Sequence, residues 1–499
     1  MDINYSNPIN FSLQDYNEKE KIYDLGFREY DARWIYPDQI NLPGIQKIGL
    51  CLGDIIQKNS NSNNKICVGH DFRSYSEEIK EALIAGLIAA GIDVFDIGLT
   101  ISPGAYFSQY FLDCDNVAMV TASHNPNGWT GIKMGTEKTL TFGPDQINKL
   151  KDLISKEISL SKEPGKYVFR NINNEYIDDL TSEINVNREI KAVVACGNGT
   201  TGLFAPEALK RIGVDVISLH CDLDSNFPNY NPNPEDMKML SDLGKHVLEN
   251  EADIGFAFDG DGDRVGVVDD NGKEIFADKL GLLIARNISK NHKNSKFIID
   301  VKSTSLFISD KILRESKSEV MYWKTGHSYI KRKTNEVGAI AGFERSGHFF
   351  FNKPIGRGYD DGVLSAIEIV KILDDNRDKR ISEIYNELPK TFSTPTMSPK
   401  CPEEKKYEIV EDIKKIYQEK KENEELISEQ KISSLLTVNG VRITLEDGSW
   451  GLIRASSNSP NLVVVCESPV SQERMKEVFS SLNDVLKNFP EIGDYDQKI

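Results

Sequence analysis

Residues 66–95 read ICVGHDFRSYSEEIKEALIAGLIAAGIDVF, and this stretch decides the fold. Ile66 to Val68 is a short apolar strand running into the loop Gly69-His70-Asp71. From about Ser76 the spacing predicts a helix with Ile79, Leu83, Gly86, Leu87 and Ala90 on one face. Gly91 terminates it, and Ile92-Asp93-Val94-Phe95 starts a second strand. Strand, helix and strand of this length form a right-handed unit whose strands run parallel. The unit returns as Ala192-Val193-Val194-Ala195, the loop Gly197 to Gly202, a helix to Ile212 and a strand from Val214 to Leu219. A looser copy runs from Phe297-Ile298-Ile299-Asp300 through Ser303-Thr304-Ser305 and a helix to Arg314, ending at Val320-Met321-Tyr322-Trp323. Three copies imply three related α/β domains with mixed, mostly parallel sheets. Gene triplication is the simplest account, against three independent segments of similar pattern.

Beyond the third copy the character changes. Pro389, Pro395, Pro399 and Pro402 fall within fourteen residues and suggest a linker or hinge. A charged helix follows, with Ile409, Ile413, Ile416 and Tyr417 at helical spacing and its Lys and Glu residues on a solvated face. Strands around Val441 to Thr444 and Leu462 to Val465, then a helix from about Gln472, complete a small C-terminal α+β domain. The expected boundaries are 1–170, 171–276, 277–389 and 390–499.

Length and composition agree with this plan. At roughly 150 residues per domain, a chain of 499 residues holds three or four domains. Its 60 basic and 77 acidic residues leave a formal charge of −17, which disfavours nucleic acid or an anionic membrane as a partner. The longest apolar run, Ala82 to Ile92, is about half of what a spanning helix needs. The N-terminal residues show neither a basic nor an apolar targeting region, so the expected location is the cytoplasm. Seven cysteines without a C-x-x-C pair read as reduced buried thiols.

Three loops carry chemistry. Gly197-Asn198-Gly199-Thr200-Thr201-Gly202 matches the dinucleotide fingerprint, with Asp222 twenty residues beyond its last glycine. No hydride-transfer site accompanies it, and a tight strand-to-helix turn favours glycine in any case. Asp259-Gly260-Asp261-Gly262-Asp263-Arg264 lies between the apolar segments Ile254 to Phe258 and Val265 to Val268. Carboxylates at alternate positions converge on one side of such a loop, and hard oxygen donors in a compact set favour Mg²⁺. An EF-hand is excluded because Arg264 and Asp270 stand where Gly and Glu are required. Thr121-Ala122-Ser123-His124-Asn125-Pro126-Asn127-Gly128 follows the strand Val117 to Val120. It lacks the nucleophile elbow, and neighbours in an extended loop point apart, so His124 is not expected to serve Ser123 as a base. The residues alone leave this loop open between a site and ordinary turn chemistry.

Their combination is more specific. The Ser123 loop and the aspartate loop are followed by Glu344-Arg345-Ser346-Gly347-His348 and Arg454-Ala455-Ser456-Ser457-Asn458-Ser459-Pro460, one constellation per domain. Phe27-Arg28-Glu29-Tyr30-Asp31, Lys324-Thr325-Gly326-His327-Ser328 and Gly358-Tyr359-Asp360-Asp361-Gly362 accompany them. In this order they resemble the α-D-phosphohexomutase superfamily, most closely its phosphomannomutase/phosphoglucomutase branch, over nearly the whole chain.

The resemblance implies four domains arranged around a central cleft and a mutase acting on small sugar phosphates. Ser123 would be carried as phosphoserine and share Mg²⁺ with Asp259, Asp261 and Asp263. Lys133 and Arg264 would lie near the transferring phosphoryl, with Lys133 or His327 as general acid or base. Glu344 and Ser346 would contact sugar hydroxyls, and Arg454, Ser456, Ser457 and Asn458 would grip the phosphate not being transferred. Arg28, His124, Lys302 and His348 match other substrate-facing positions. The implied reaction interconverts hexose 1-phosphate and hexose 6-phosphate of mannose, glucose or both, with a hexose 1,6-bisphosphate as intermediate and activator. A fourth domain on a proline-marked hinge would let that intermediate turn.

Three departures stand out. Trp34 follows Arg33 where the family usually has glycine and is expected to crowd the cleft entrance. Phe343 precedes Glu344, and Ser457-Asn458 replaces the frequent Asn-Thr. Phosphoglucosamine mutase is the nearest alternative activity, an NAD-dependent oxidoreductase the distant one. Oligomeric state is not legible. An acidic chain can still bind small phosphates if Arg28, Lys133, Arg264, Lys302, His327 and Arg454 supply local positive charge.

Overall fold

The first sheet contains β1 (Ala32–Ile35), β2 (Lys65–His70), β3 (Asp93–Leu99), β4 (Asn116–Val120), β5 (Trp129–Gly135) and β6 (Tyr167–Phe169), ordered β1-β5-β4-β2-β3-β6. β2 pairs in parallel with β3 and β4, and β5 closes antiparallel on β4. The helix Ser76–Ala89 between β2 and β3 buries Ile79, Leu83, Gly86 and Leu87, the face its spacing marks. The second sheet contains β7 (Lys191–Ala195), β8 (Asp215–Leu219), β9 (Ile254–Phe258), β10 (Val265–Val268) and β11 (Glu274–Ile275), ordered β11-β10-β9-β7-β8. In the third, β12 (Lys296–Asp300) lies parallel between β13 (Glu319–Trp323) and β14 (Ala341–Phe343).

The same order recurs three times: β3-β2-β4, β8-β7-β9 and β13-β12-β14. The first strand of each copy is flanked by its second and third, so each sheet changes direction of build beside its third strand. Loops at the carboxyl ends of strands near such a switch are the favoured place for ligands in α/β proteins. β4 leads into the Ser123 loop, β9 into the aspartate loop and β14 into Glu344. Three constellations of different chemistry thus occupy equivalent positions in three repeats.

The third copy departs in its helix. Asp310 is extended (φ −62°, ψ 127°) and accepts from Leu313 N, so the expected single helix becomes Leu306–Ser309 and Lys311–Glu315.

The C-terminal sheet is wholly antiparallel. After β15 (Phe349–Phe351), the strands β16 (Phe392–Ser393), β17 (Ile432–Leu436), β18 (Val441–Leu445), β19 (Trp450–Ala455) and β20 (Leu462–Ser468) form the order β16-β20-β19-β18-β17. The helices Lys406–Glu422 and Gln472–Leu486 cover it, packing Ile409, Ile413, Tyr417, Val478 and Leu482 against Ile443, Ile453 and Val464. The proline-rich segment is not a free linker. It continues β16 as an interrupted edge strand, bridging Met397 to Val464 and Lys400 to Asn461. Proline is tolerated there because an edge strand needs only half its N–H groups.

Trp34 also differs from expectation. It is fully buried in the core of the first sheet, edge-on to Phe27 at 5.1 Å, and its Nε1 donates to Tyr23 O at 2.8 Å. Gly26 makes room for it: a Cβ there would lie 1.8 Å from Trp34 Nε1. A large side chain next to Arg33 is accommodated inward.

The computed structural model describes residues 18–59, 62–457 and 459–496. It divides into two compact units, one formed by the described residues up to Ile275 with Gly347–Ile381, the other by Phe276–Ser346 with the described residues from Ser382 on. All seven cysteines are free thiols, six of them buried. Among the described residues no helix is long and apolar enough to cross a membrane.

Candidate active site

In the first unit, the chain leaves β4 and turns sharply at Ser123, whose φ of +52° places a residue with a Cβ in the left-handed region. This changes the expected relation to His124. With the backbone no longer extended, Ser123 Oγ lies 3.2 Å from His124 Nδ1 rather than pointing away from it. Removal from water and the neighbouring Arg264 push His124 well below the ordinary histidine range, leaving a neutral ring at neutral pH. Ser123 Oγ also donates to Asp259 Oδ2 at 2.9 Å, across 136 residues of sequence.

Asp259, Asp261 and Asp263 are fully buried, and one oxygen from each lies within 4.8 Å of the others. Asp261 Oδ1 has no hydrogen-bond partner. An orphaned buried oxygen within a cluster of hard donors fits a small divalent cation with Ser123 beside it. Gly260 is required by close approach: a Cβ there would meet Ser123 O at 2.9 Å. Burial and the neighbouring Asp263 and Asp261 hold Asp259 well above the usual carboxylate range. For Asp263 burial acts the same way but is outweighed by Lys133 and His348, which hold it well below.

Lys133 projects from β5 into this cluster. Its Nζ donates to Asp261 Oδ2 at 2.7 Å, to Ser102 Oγ at 3.1 Å and to Asp263. Burial lowers its affinity for a proton, yet the two carboxylates raise it further, so it stays charged. Arg264 donates from Nε to His348 Nε2 at 3.2 Å and from a terminal nitrogen to Glu235 at 3.3 Å. His348 reaches the loop through a backbone bridge with Arg264 and lies 3.4 Å from Asp263 Oδ1. The cations here are each matched by carboxylates. Arg28 stands apart: its N–H donates to Asp31 O, and its buried Nε has no partner.

The dinucleotide-like turn serves the aspartate loop. Thr200 N donates to Gly260 O at 3.1 Å and Thr201 Oγ1 to Asp259 O at 2.7 Å, so the turn is spent on protein rather than left open to a pyrophosphate.

In the second unit, Glu344 Oε1 accepts from Gly326 N at 2.7 Å and Oε2 from Ser346 Oγ at 3.0 Å. The helix His327–Glu336 begins at the buried His327. Lys302 Nζ lies 3.8 Å from Asp300 Oδ2, which also accepts from Thr325 Oγ1 at 3.0 Å. Phe343 faces the core, with Phe297 and Phe307 at 6.1 and 5.9 Å, and leaves Glu344 at the strand end. Arg454 donates to Ser457 Oγ at 3.0 Å, while its Nε is buried without a partner. Ser456 Oγ and Ser459 Oγ lie 2.9 Å apart. Asn458 lies outside the described residues. Asn439 Oδ1 accepts from Thr325 N at 3.2 Å and thus ties the His327 turn to the C-terminal sheet.

Residue type concealed several supporting groups. Lys406 belongs to the charged helix but is fully buried, and its Nζ donates to Ser456 O at 2.6 Å and Ser459 O at 3.1 Å, fixing the Arg454 loop from below. Asp71 and Arg73, just past β2, bind the Ser123 loop. Only the position of Asp71 and Arg73 at a strand's carboxyl end could have drawn attention to them.

Comparison with known proteins matches this arrangement. The pattern described as phosphoglucomutase/phosphomannomutase alpha/beta/alpha domain I covers residues 24–161, domain II 174–272 and domain III 276–392. The C-terminal domain of the same family covers 399–485. A phosphomannomutase/phosphoglucomutase of Pseudomonas syringae is 34% identical over 458 residues, 91% of this chain and 94% of its own. A phosphoglucomutase of Neisseria meningitidis is 31% identical, with 93% and 97% covered. The crystal structure of a phosphoglucomutase/phosphomannomutase family protein from Burkholderia thailandensis superposes with a TM-score of 0.84 at 29% identity, over 95% of this chain and 100% of that one. With four consecutive domains matched and relatives aligned nearly end to end, the chain belongs to the phosphoglucomutase/phosphomannomutase family.

Proposed function

We propose that this protein is an intramolecular phosphotransferase that interconverts hexose 1-phosphate and hexose 6-phosphate, of mannose, glucose or both. The observation that carries the reading is Ser123 Oγ, held in a left-handed turn 2.9 Å from Asp259 in a buried aspartate cluster. Phosphoryl transfer is mainly positioning and charge neutralisation, and a hydroxyl beside a cation site supplies both.

In the first half-step, phosphoserine 123 gives its phosphoryl group to the free hydroxyl of the substrate. The bond from Ser123 Oγ to phosphorus breaks with its electron pair left on Oγ, which takes up a proton to become the hydroxyl, while a sugar oxygen bonds to the phosphorus and gives its proton to a base. In the second half-step the resulting hexose 1,6-bisphosphate returns its other phosphoryl group to Ser123. Added hexose 1,6-bisphosphate would activate unphosphorylated protein by the same second step.

Asp259, Asp261 and Asp263, with Ser123, would hold Mg²⁺, which when bound neutralises charge on the transferring group. Arg264 adds hydrogen-bond donors beside it, and His348, which accepts from Arg264, contributes near the substrate. We read Lys133, ion-paired with Asp261 and Asp263, as a fixed positive charge rather than a base, and His327 as the group that exchanges the sugar proton. Glu344 and Ser346 orient sugar hydroxyls, with Lys302 beside them. Arg454, Ser456, Ser457 and Asn458 hold the distal phosphate, and Arg28 and His124 contribute near the substrate. We assign these roles to four domains at 1–170, 171–276, 277–389 and 390–499.

The test is intact mass and a coupled assay with mannose, glucose and glucosamine 1-phosphates, primed with a hexose 1,6-bisphosphate. Wild-type protein is expected to carry one phosphate and to turn over mannose or glucose phosphate. Ser123→Ala is expected to lose both, and activity surviving that substitution overturns the proposal. The three rates rank the sugars.

A further inference from the structure

We propose that Asp71 and Arg73 are positioning residues that fix Ser123 against the aspartate loop, so that their loss slows phosphoryl transfer while leaving sugar-phosphate binding unchanged. This rests on the mutase reading and extends it to two side chains that touch neither the reacting atoms nor a sugar.

Strand order explains their place. β2 lies beside β4, and Asp71 N donates to Val120 O at 3.0 Å, so the first residues past β2 adjoin the start of the Ser123 loop. Asp71 Oδ2 accepts from Thr121 Oγ1 at 2.8 Å and from Ala122 N at 3.3 Å. Thr121 Oγ1 in turn accepts from Ser123 N at 2.8 Å. On its other oxygen Asp71 accepts from Ser76 Oγ at 2.5 Å, which anchors the carboxylate to the first turn of the helix Ser76–Ala89.

Arg73 works on the opposite side of the same peptide. One terminal nitrogen donates to Ser123 O at 2.9 Å and Asn125 O at 2.7 Å, and the other donates to Pro126 O at 3.2 Å. Its Nε reaches Asp71 at 3.3 Å, and its guanidinium lies 5.1 Å from the centre of the Phe227 ring. Asp71 and Arg73 are 3% and 4% exposed, so both act through the loop and not on a ligand. Three carbonyl oxygens converging on one planar cation demand a fork of donors, which the point charge of lysine cannot reproduce.

Phe72 completes the device. Its N–H donates to Thr200 Oγ1 at 2.9 Å, while Thr200 N and Thr201 Oγ1 hold Gly260 O and Asp259 O. Ser123 O meets Arg73 on one side and Gly260 on the other. The tripeptide Asp71-Phe72-Arg73 therefore grips both partners of the contact between Ser123 and Asp259. A left-handed residue with a Cβ persists only where its surroundings over-determine it, and these bonds do so.

The test compares kcat and KM of Arg73→Lys, Asp71→Asn, Thr121→Val and Thr121→Ser with the wild type, using glucose 1-phosphate or mannose 1-phosphate. Arg73→Lys and Asp71→Asn are expected to lower kcat at least about tenfold with KM within about twofold, since small misplacements of a reacting group cost this much or more. Thr121→Val is expected to lose about fivefold in kcat, while Thr121→Ser, which keeps the hydroxyl, stays within about twofold. A kcat for Arg73→Lys within about twofold of wild type, or a rise in KM at constant kcat, overturns the proposal. Should Arg73→Lys fail to fold, the threonine pair decides. If the wild type itself transfers no phosphate, the mutase reading falls. A crystal structure of Arg73→Lys, or of Thr121→Val if needed, then settles the clamp: loss of the positive φ at Ser123 supports it and retention overturns it.

Discussion

Two buried carboxylate sites, one in each unit, show opposite ways of keeping negative charge away from water. Glu467, on β20, is fully buried beside Lys279 at 3.5 Å. One of its oxygens accepts from Thr304 Oγ1, Ser305 N, Ser305 Oγ and Trp450 Nε1, the other from Thr391 Oγ1 and Ser393 Oγ. Burial alone would raise its pKa, but Lys279, Trp450 and the remaining donors pull it down to about 2. The aspartate cluster also has a buried lysine, yet it crowds three carboxylates together and leaves Asp261 Oδ1 without a partner. The first site is finished by the protein, while the second leaves a buried acceptor that the protein does not fill. A buried carboxylate with its lone pairs filled is settled by the fold, whereas one held unsatisfied keeps an acceptor open.

The sharpest way to break that contrast is Asp261→Asn. It is expected to cost at least about 10³-fold in mutase turnover, because the charge facing the reaction is reduced. Its unfolding free energy from urea titration is expected to stay within about 2 kcal/mol of wild type, because Lys133 keeps its pairing with Asp263 and one like charge leaves a crowded site, which offsets part of the lost pair with Asp261. A large loss of stability in that titration would make the cluster a folding element after all.

Glu467→Gln should do the reverse. Lowering a carboxyl from its usual value to about 2 corresponds to about 3 kcal/mol at pH 7, and the substitution should lose about that much while the folded fraction keeps turnover within about threefold. The sign follows from the depressed pKa. The stabilisation is fully present above the unfolded value near 4.5 and is lost as pH falls through about 2. Urea titrations of wild type and variant should therefore differ equally at pH 7 and pH 5 and converge toward pH 2; a gap that opens with acid would contradict this.

Asp361 offers a smaller test between the extremes. It caps the helix Gly362–Asp375 through Leu364 N and accepts from Tyr176 at 2.9 Å, but burial raises it to about 7. Here the sign is opposite: protonation favours the folded state, and that contribution is lost as pH rises through about 7. Asp361→Asn is expected to gain about 2 kcal/mol at pH 8 and little at pH 4, measured by denaturant titration, because an amide keeps the cap without the charge.

What residue type and spacing can report sets how much of this was legible. The three repeats, the aspartate loop and the helices of the C-terminal domain follow from periodicity and alternation. β17 and β19 escaped because Ser433 and Ser434 in one, and Gly451 and Arg454 in the other, blur the alternation. The contact of Ser123 with His124 depends on the sign of one φ, which neither residue announces. Lys406 resembles every other lysine of its helix until the Arg454 loop is seen above it. Trp34 reads as obstructive in sequence because nothing about Gly26, eight residues earlier, announces that it opens a pocket for the indole.

The edge strand that continues β16 has a consequence for the molecule in a crowded solution. Pro395 offers no N–H, Ser398 N is already bound to Asp496 and Lys400 N to Asp494 O, while Lys400 O accepts from Gly493 N. The prolines interrupt the ladder, and the C-terminal tail occupies several of the remaining positions. A foreign strand approaching this margin finds few groups to pair with, so the same prolines that resemble a linker in the sequence guard the antiparallel sheet against edge-to-edge aggregation.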